Sequence, residues 1–343
     1  MSKSDEIILG ITIGTDTEAG IKLLLKSFED KRVLEFCTPV FFVNTNMFSN
    51  FKKRPSNATK YSNITDLKDL TKSKLNILNT SKEASKTGNS EEALSEDRFL
   101  VDSLELASSA LANNQIDGLI SFPFSLKNTE DLSSNIIDEY TYFSNKFNKK
   151  GLKVFLSENY KVCLANQNLT NDPLVGVSNK SLKIDLELIQ KMLKEEFTLS
   201  KPTIAIISKG LEKEHPESEV IRSLVAEMQS KSHLIYGPFQ AESFFESCKH
   251  HVFDAILLVS KNDENLVKQL LKSDEVKYLT GFEKVITLPN IEATNNEFES
   301  MSSFYDAFFM SLKLVKAKRA YEELTRNPLK SQFKKYHLNR QDA

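Results

Sequence analysis

Apolar and polar positions along this chain repeat with two periods, one suited to buried strands and one to helices. The run Ile7-Ile8-Leu9-Gly10-Ile11-Thr12-Ile13 is short, β-branched and apolar nearly throughout, which predicts a strand buried on both faces of a parallel sheet. A loop over Gly14 to Gly20 follows. A helical pattern then turns Leu23, Leu24, Phe28 and Leu34 inward, and Pro39 to Val43 reads as a second strand. This βαβ order sets the class as α/β.

The alternation continues to the carboxyl end. Between Asn50 and Glu96 the composition shifts to Lys, Ser, Asn and Thr, which suits a surface excursion of short strands and loops with no assigned chemistry. Ser95 can cap the next helix, where Leu100, Leu104, Ala107 and Leu111 recur at helical spacing. Strands are predicted over Asp117 to Phe122, Lys153 to Leu156, Tyr160 to Ala165, Thr203 to Ile207 and Asp254 to Val259. Helices are predicted over Asp185 to Phe197, Pro216 to Met228, Ala241 to Cys248 and Glu264 to Leu271. The last pattern, Ser302 to Leu324, puts Phe304, Phe308, Leu312 and Val315 on one stripe and Lys313, Lys316 and Lys318 outward or snorkelling.

Composition narrows the function classes. The 343 residues suffice for two α/β domains sharing a cleft. With Lys+Arg 45 against Asp+Glu 47 and a net charge of -2, neither sign dominates, so a generalised nucleic-acid surface is not expected. The amino end is polar and acidic, and no apolar run approaches the roughly 18 residues of a membrane span, so a cytoplasmic protein without membrane contact is expected. Cys37, Cys163 and Cys248 are odd in number and widely spaced, and read as buried thiols. Glycine numbers only 10, which counts against a glycine-built nucleotide site.

Familiar catalytic patterns are missing. No Gly-x-Gly-x-x-Gly follows the first strand, and neither a phosphate-loop lysine motif nor a Gly-x-Ser-x-Gly elbow occurs. Adjacent His250 and His251 would point about 100° apart on a helix and cannot chelate one ion together. Asp16 and Glu18 lie in the loop at the carboxyl end of the first strand, where open α/β sheets place ligands. They suit either acid/base or metal chemistry, or the start of a helix whose dipole they complement. Asp263 and Glu264 allow the same two readings.

Several segments carry a resemblance in their order and spacing: Gly10 to Gly14, Leu25 to Phe28 with Glu35 to Pro39, Ile116 to Ile120, Lys201 to Ala205, Gly237 to Ala241, Phe253 to Leu257, and Tyr321 to Leu324 with Asn327 to Lys330. Through them the chain resembles the 4-hydroxythreonine-4-phosphate dehydrogenase family of pyridoxal phosphate biosynthesis, in its Bacteroidetes-like form, over nearly its whole length. The resemblance implies two α/β domains around a cleft, similar to isocitrate and isopropylmalate dehydrogenases. The first would comprise 1–125 plus 290–343, and the second, 126–289, would carry dimer contacts.

In that family a divalent metal held by three histidines polarises the substrate alcohol while hydride passes to NAD. Here the three positions fall on Glu139, Lys261 and Ile291. The first loop, Gly14 to Gly20, loses an acid and a glycine of the family pattern. The family's Asn-Pro-His-Ala-Gly loop becomes Ser208 to Glu212, an arginine position falls on Ile286, and the substrate lysine falls on Leu126, with Lys127 adjacent. A lysine brings a cation without a lone pair and repels a divalent ion. The expectation is therefore a homologue with no metal and no NAD, in which Glu139 and Lys261 form an ion pair where the metal sat or merely border the cleft. A homodimer is implied, or a hetero-dimer with an active paralogue. The alternative is an active dehydrogenase with a metal site rebuilt on Asp16, Glu139 or Asp263.

Overall fold

The computed structural model describes residues 6–52, 60–80, 96–124, 138–156, 160–165, 178–208, 216–247, 249–259, 276–291 and 297–326. Twelve strands among them join in one sheet. In chain order they are β1 (Ile8–Thr12), β2 (Thr38–Val43), β3 (Tyr61–Ile64), β4 (Leu75–Asn79), β5 (Gly118–Ile120), β6 (Leu152–Leu156), β7 (Lys161–Leu164), β8 (Thr203–Ile207), β9 (Leu234–Phe239), β10 (Ala255–Leu258), β11 (Val276–Thr280) and β12 (Val285–Leu288). The α-helices described are α1 (Thr17–Ser27), α2 (Thr45–Lys52), α3 (Glu96–Ala112), α4 (Glu139–Phe147), α5 (Asn179–Glu195), α6 (Pro216–Ser230), α7 (Ala241–Glu246) and α8 (Glu297–Arg326).

The spatial order is β3-β4-β2-β1-β5-β12-β11-β6-β7-β10-β8-β9. Pairing is parallel from β3 to β12 and again from β7 to β9. The seam between these blocks, β12-β11-β6-β7, is antiparallel at each step. Three reversals leave the two parallel blocks running in opposite directions, so the carboxyl ends of one lie on the side of the amino ends of the other. The central strands are apolar because both faces are covered: every residue of β2, β10 and β12 is buried.

The predicted stripe of α8 is observed. Phe304, Phe308, Leu312 and Val315 are buried, and Phe304 meets the rings of Phe28 at 5.9 Å and Phe122 at 6.0 Å, edge to face. Lys313 and Lys316 point outward as expected. Lys318 does not: its side chain is only 15% exposed and turns toward Glu196.

Other differences have local causes. The first helix stops at Ser27, and Leu34 packs from a separate 3-10 turn, Lys31–Glu35, which Asp30 caps through the Arg32 N–H. The α5 helix starts at Asn179, earlier than expected, because the Ser178 hydroxyl accepts the Ser181 N–H. The polar stretch after Asn50 is not only a surface excursion. Within it β4 enters the sheet beside β2, and Asn76 is fully buried with its amide spent on the carbonyls of Pro39, Thr71 and Lys74. Hydrogen-bond satisfaction lets a polar residue occupy a strand interior.

The β11–β12 hairpin goes beyond the strands that the sequence pattern predicts. Its turn needs Gly281, whose φ is +96° and whose missing Cβ would stand 2.9 Å from the Lys150 carbonyl. The expected helix Glu264 to Leu271 and the Ser95 cap lie outside the described residues. Cys37 and Cys163 are free and buried, as expected; Cys248 also lies outside.

Candidate functional site

Parallel neighbours β1, β5 and β12 end side by side, which brings three exits together: 13–16, 121–124 and 289–291. This is where an open α/β sheet collects its loops. The Thr15 N–H donates to the Pro123 carbonyl at 3.2 Å, and the Ser121 N–H donates to Thr287 at 2.9 Å. Gly14 permits the first contact, since an added Cβ would stand 2.7 Å from the Pro123 carbonyl. The space opened by this glycine is filled by protein backbone, not offered to a phosphate.

The α4 helix delivers Glu139 to the same rim. Asp138 caps the helix by accepting the Thr141 N–H at 2.9 Å and the Thr141 hydroxyl at 2.8 Å, while Lys153 of β6 donates to its other oxygen at 3.1 Å. Burial pushes the Asp138 carboxyl up, but the Lys153 ammonium and the Thr141 donors outweigh it and hold it below its ordinary range. One residue on, Glu139 Oε1 accepts the backbone N–H of Phe124 at 3.2 Å. The carboxylate thus ties α4 to the β5 exit.

Aromatic packing fixes the helix further. Phe124 meets Tyr142 edge to face at 6.0 Å, the Tyr142 hydroxyl donates to Glu105 at 3.1 Å, and Lys146 pairs with the same carboxylate at 2.5 Å. Behind the β1 exit, the Ser103 hydroxyl of α3 accepts the Ile13 N–H at 3.3 Å and donates to the Phe42 carbonyl at 2.6 Å.

Of the residues singled out from the sequence, Asp16 caps α1 by accepting the Ala19 N–H at 2.9 Å, and Glu18 pairs with Lys22 at 2.5 Å. Both carboxylates therefore serve the start of α1. Ile291 is half-buried at the β12 exit and packs against the main core. Lys261, Asp263 and Lys127 lie outside the described residues, and with them the expected Glu139–Lys261 pair. Sequence reasoning missed Asp138 and Lys153, although Asp-x-x-Thr ahead of an aromatic helical run is a cap signal.

Among the described residues, no group of three or more His, Cys, Asp or Glu side chains is arranged to hold a metal. The three positions that would ligate by resemblance provide one carboxylate, one ammonium and one hydrocarbon. That set does not fit a divalent ion, because only the carboxylate has a lone pair to give.

These features define an α/β protein built on one mixed twelve-stranded sheet, with a strand-exit rim made of helix caps and aromatic rings. The chain belongs to the family of the pyridoxal phosphate biosynthetic protein PdxA, whose profile matches residues 35–289. A 4-hydroxythreonine-4-phosphate dehydrogenase of Bacteroides thetaiotaomicron is 22% identical over 350 aligned positions, covering 96% of this chain and 95% of that protein. The solved dehydrogenase of the same description from Klebsiella pneumoniae superposes with a TM-score of 0.70 at 12% identity, covering 89% of this chain and 100% of its own. That from Burkholderia phymatum gives 0.67 at 15%, covering 90% and 98%. At such identities the solved structures establish the shared fold.

Proposed function

We propose that this chain is a PdxA-family protein that keeps the family scaffold without its catalysis, acting as a non-catalytic binding or partner subunit. The observation that carries this reading is the donor chemistry of the rim. Ile291 offers hydrocarbon packed on the core, and Glu139 spends an oxygen on the Phe124 N–H. Neither the Glu139 contact nor the capping by Asp16 requires a metal. The subunit would pair with itself, or with a catalytically competent paralogue that supplies the missing histidines. A cytoplasmic setting suits its free buried thiols, and no described helix is long and apolar enough to cross a membrane.

The test is calorimetric titration with zinc, magnesium and then NAD, followed by an NAD-reduction assay with 4-hydroxythreonine 4-phosphate. The Bacteroides thetaiotaomicron relative is run in parallel. The expected result is no saturable metal uptake and no turnover by this chain. Metal-dependent NAD reduction by the pure protein overturns the proposal.

A further inference from the structure

A buried polar cluster lies away from the rim, where α5 ends against β11 and α8. Glu196 follows the last residue of α5, donates its N–H to the Met192 carbonyl at 2.9 Å, and is 5% exposed. Its Oε1 lies 3.9 Å from Lys318 Nζ of α8, close enough for attraction but too far for a hydrogen bond. From β11 the Tyr278 hydroxyl faces the same carboxyl, and Tyr278 is completely buried. Oε2 of Glu196 and the Tyr278 hydroxyl do not meet at good hydrogen-bond geometry, although the hydroxyl lies near enough to favour the charged carboxylate in part. A charged carboxylate so placed is under-solvated, whereas a protonated one gains an O–H donor to offer its neighbour.

We propose that Glu196 is a proton-responsive joint between the carboxyl-terminal helix and the sheet: with its proton it holds α8 tightly against α5 and β11, and on losing it the contact loosens. The groups facing it decide the sign. On α5 stand Glu195 and Lys191, on β11 Tyr278 with Thr280 beside it, and on α8 Lys318. Glu283 in the β11–β12 turn draws on Lys149 at 2.8 Å and Lys191 at 3.8 Å, and Lys318 also acts on it. The Lys318 and Lys191 charges are therefore shared between two carboxylates, and neither is devoted to Glu196.

Burial pushes the Glu196 carboxyl up and the Lys318 ammonium pulls it back, leaving it at about 7. The folded value exceeds the unfolded one, so folding takes up a proton between the ordinary carboxylate range and neutrality. Stability from this group is complete in acid and falls as pH rises through about 7, then levels off. From pH 5 to pH 8 the folding equilibrium should weaken on the order of 70-fold through this one group.

The experiment compares melting temperature against pH from 5 to 8.5 for the intact protein, Glu196→Gln and Lys318→Met. The Gln side chain mimics the protonated acid, so Glu196→Gln should gain on the wild type as pH rises, most steeply near about 6, the midpoint of the window between the unfolded and folded values, and stop gaining above 7. Lys318→Met should move that midpoint upward, because the opposing cation is gone. In wild type, hydrogen exchange in the second half of α8, corrected for intrinsic rate, should quicken as pH rises from 5 to 7 and level off above it, and in Glu196→Gln it should not. A gap that stays constant with pH, or α8 exchange that is indifferent to pH, overturns the proposal. If the variants fail to fold, carboxyl carbon NMR of glutamate-labelled wild type decides: one carboxyl must titrate near neutrality, and none doing so overturns it.

Discussion

Removing the Glu139 side chain separates a structural from a ligating role for this carboxylate. In Glu139→Ala the N–H of Phe124, a buried residue, loses its acceptor at 3.2 Å. Hydrogen bonds to charged groups contribute about 1.5–3 kcal/mol, and the length and half-exposed acceptor reduce this one to about 1 kcal/mol. The acid also sits in the first turn of α4, where the helix dipole adds about 0.5 kcal/mol. The expected loss is about 1.5 kcal/mol for Glu139→Ala. For Glu139→Gln, which retains an oxygen acceptor, it is about 0.5 kcal/mol. Urea denaturation followed by circular dichroism measures both as shifts in midpoint at unchanged slope. Glu139→His, which places an imidazole on the rim, should still bind no zinc if the proposed reading is right, since Lys261 and Ile291 add no lone pair. Unchanged stability in Glu139→Ala, or equal losses in the Ala and Gln variants, would refute the hydrogen-bond assignment. Zinc uptake by wild type that disappears in Glu139→Ala would refute the structural role altogether.

Two further outcomes follow from the packing. Phe304→Ala empties a site shared with Phe28, Phe122 and Phe308 and should cost about 3–5 kcal/mol, read as a lowered denaturation midpoint, while Phe298→Ala, at an exposed ring on the same helix, should change stability little. Burial pushes the Cys37 and Cys163 thiols far above their ordinary range, so both should resist alkylation at pH 8 in the native protein and react together on denaturation; peptide mass mapping gives the sites, and rapid native labelling of either would contradict the burial.

Local pattern sufficed for much of this molecule. The continuous apolar runs of β1, β2, β8 and β10 and the Phe304-Phe308-Leu312-Val315 stripe of α8 are legible because a strand covered on both faces, or a helix buried along one, leaves its period in the chain. The identities of Glu139, Lys261 and Ile291 are also sequence facts. What a polar residue is spent on cannot be read this way. Asn76 lies in a polar stretch yet closes three carbonyls inside the sheet, Lys318 falls at an outward-looking helical position yet turns to Glu196, and Glu139 meets a backbone N–H fifteen residues earlier. Such partners come from strand order and helix docking, which join residues far apart in the chain. Burial and pairing, which decide whether a carboxyl is a cap, a tether or a proton store, belong to the tertiary structure because solvation and distance exist only there.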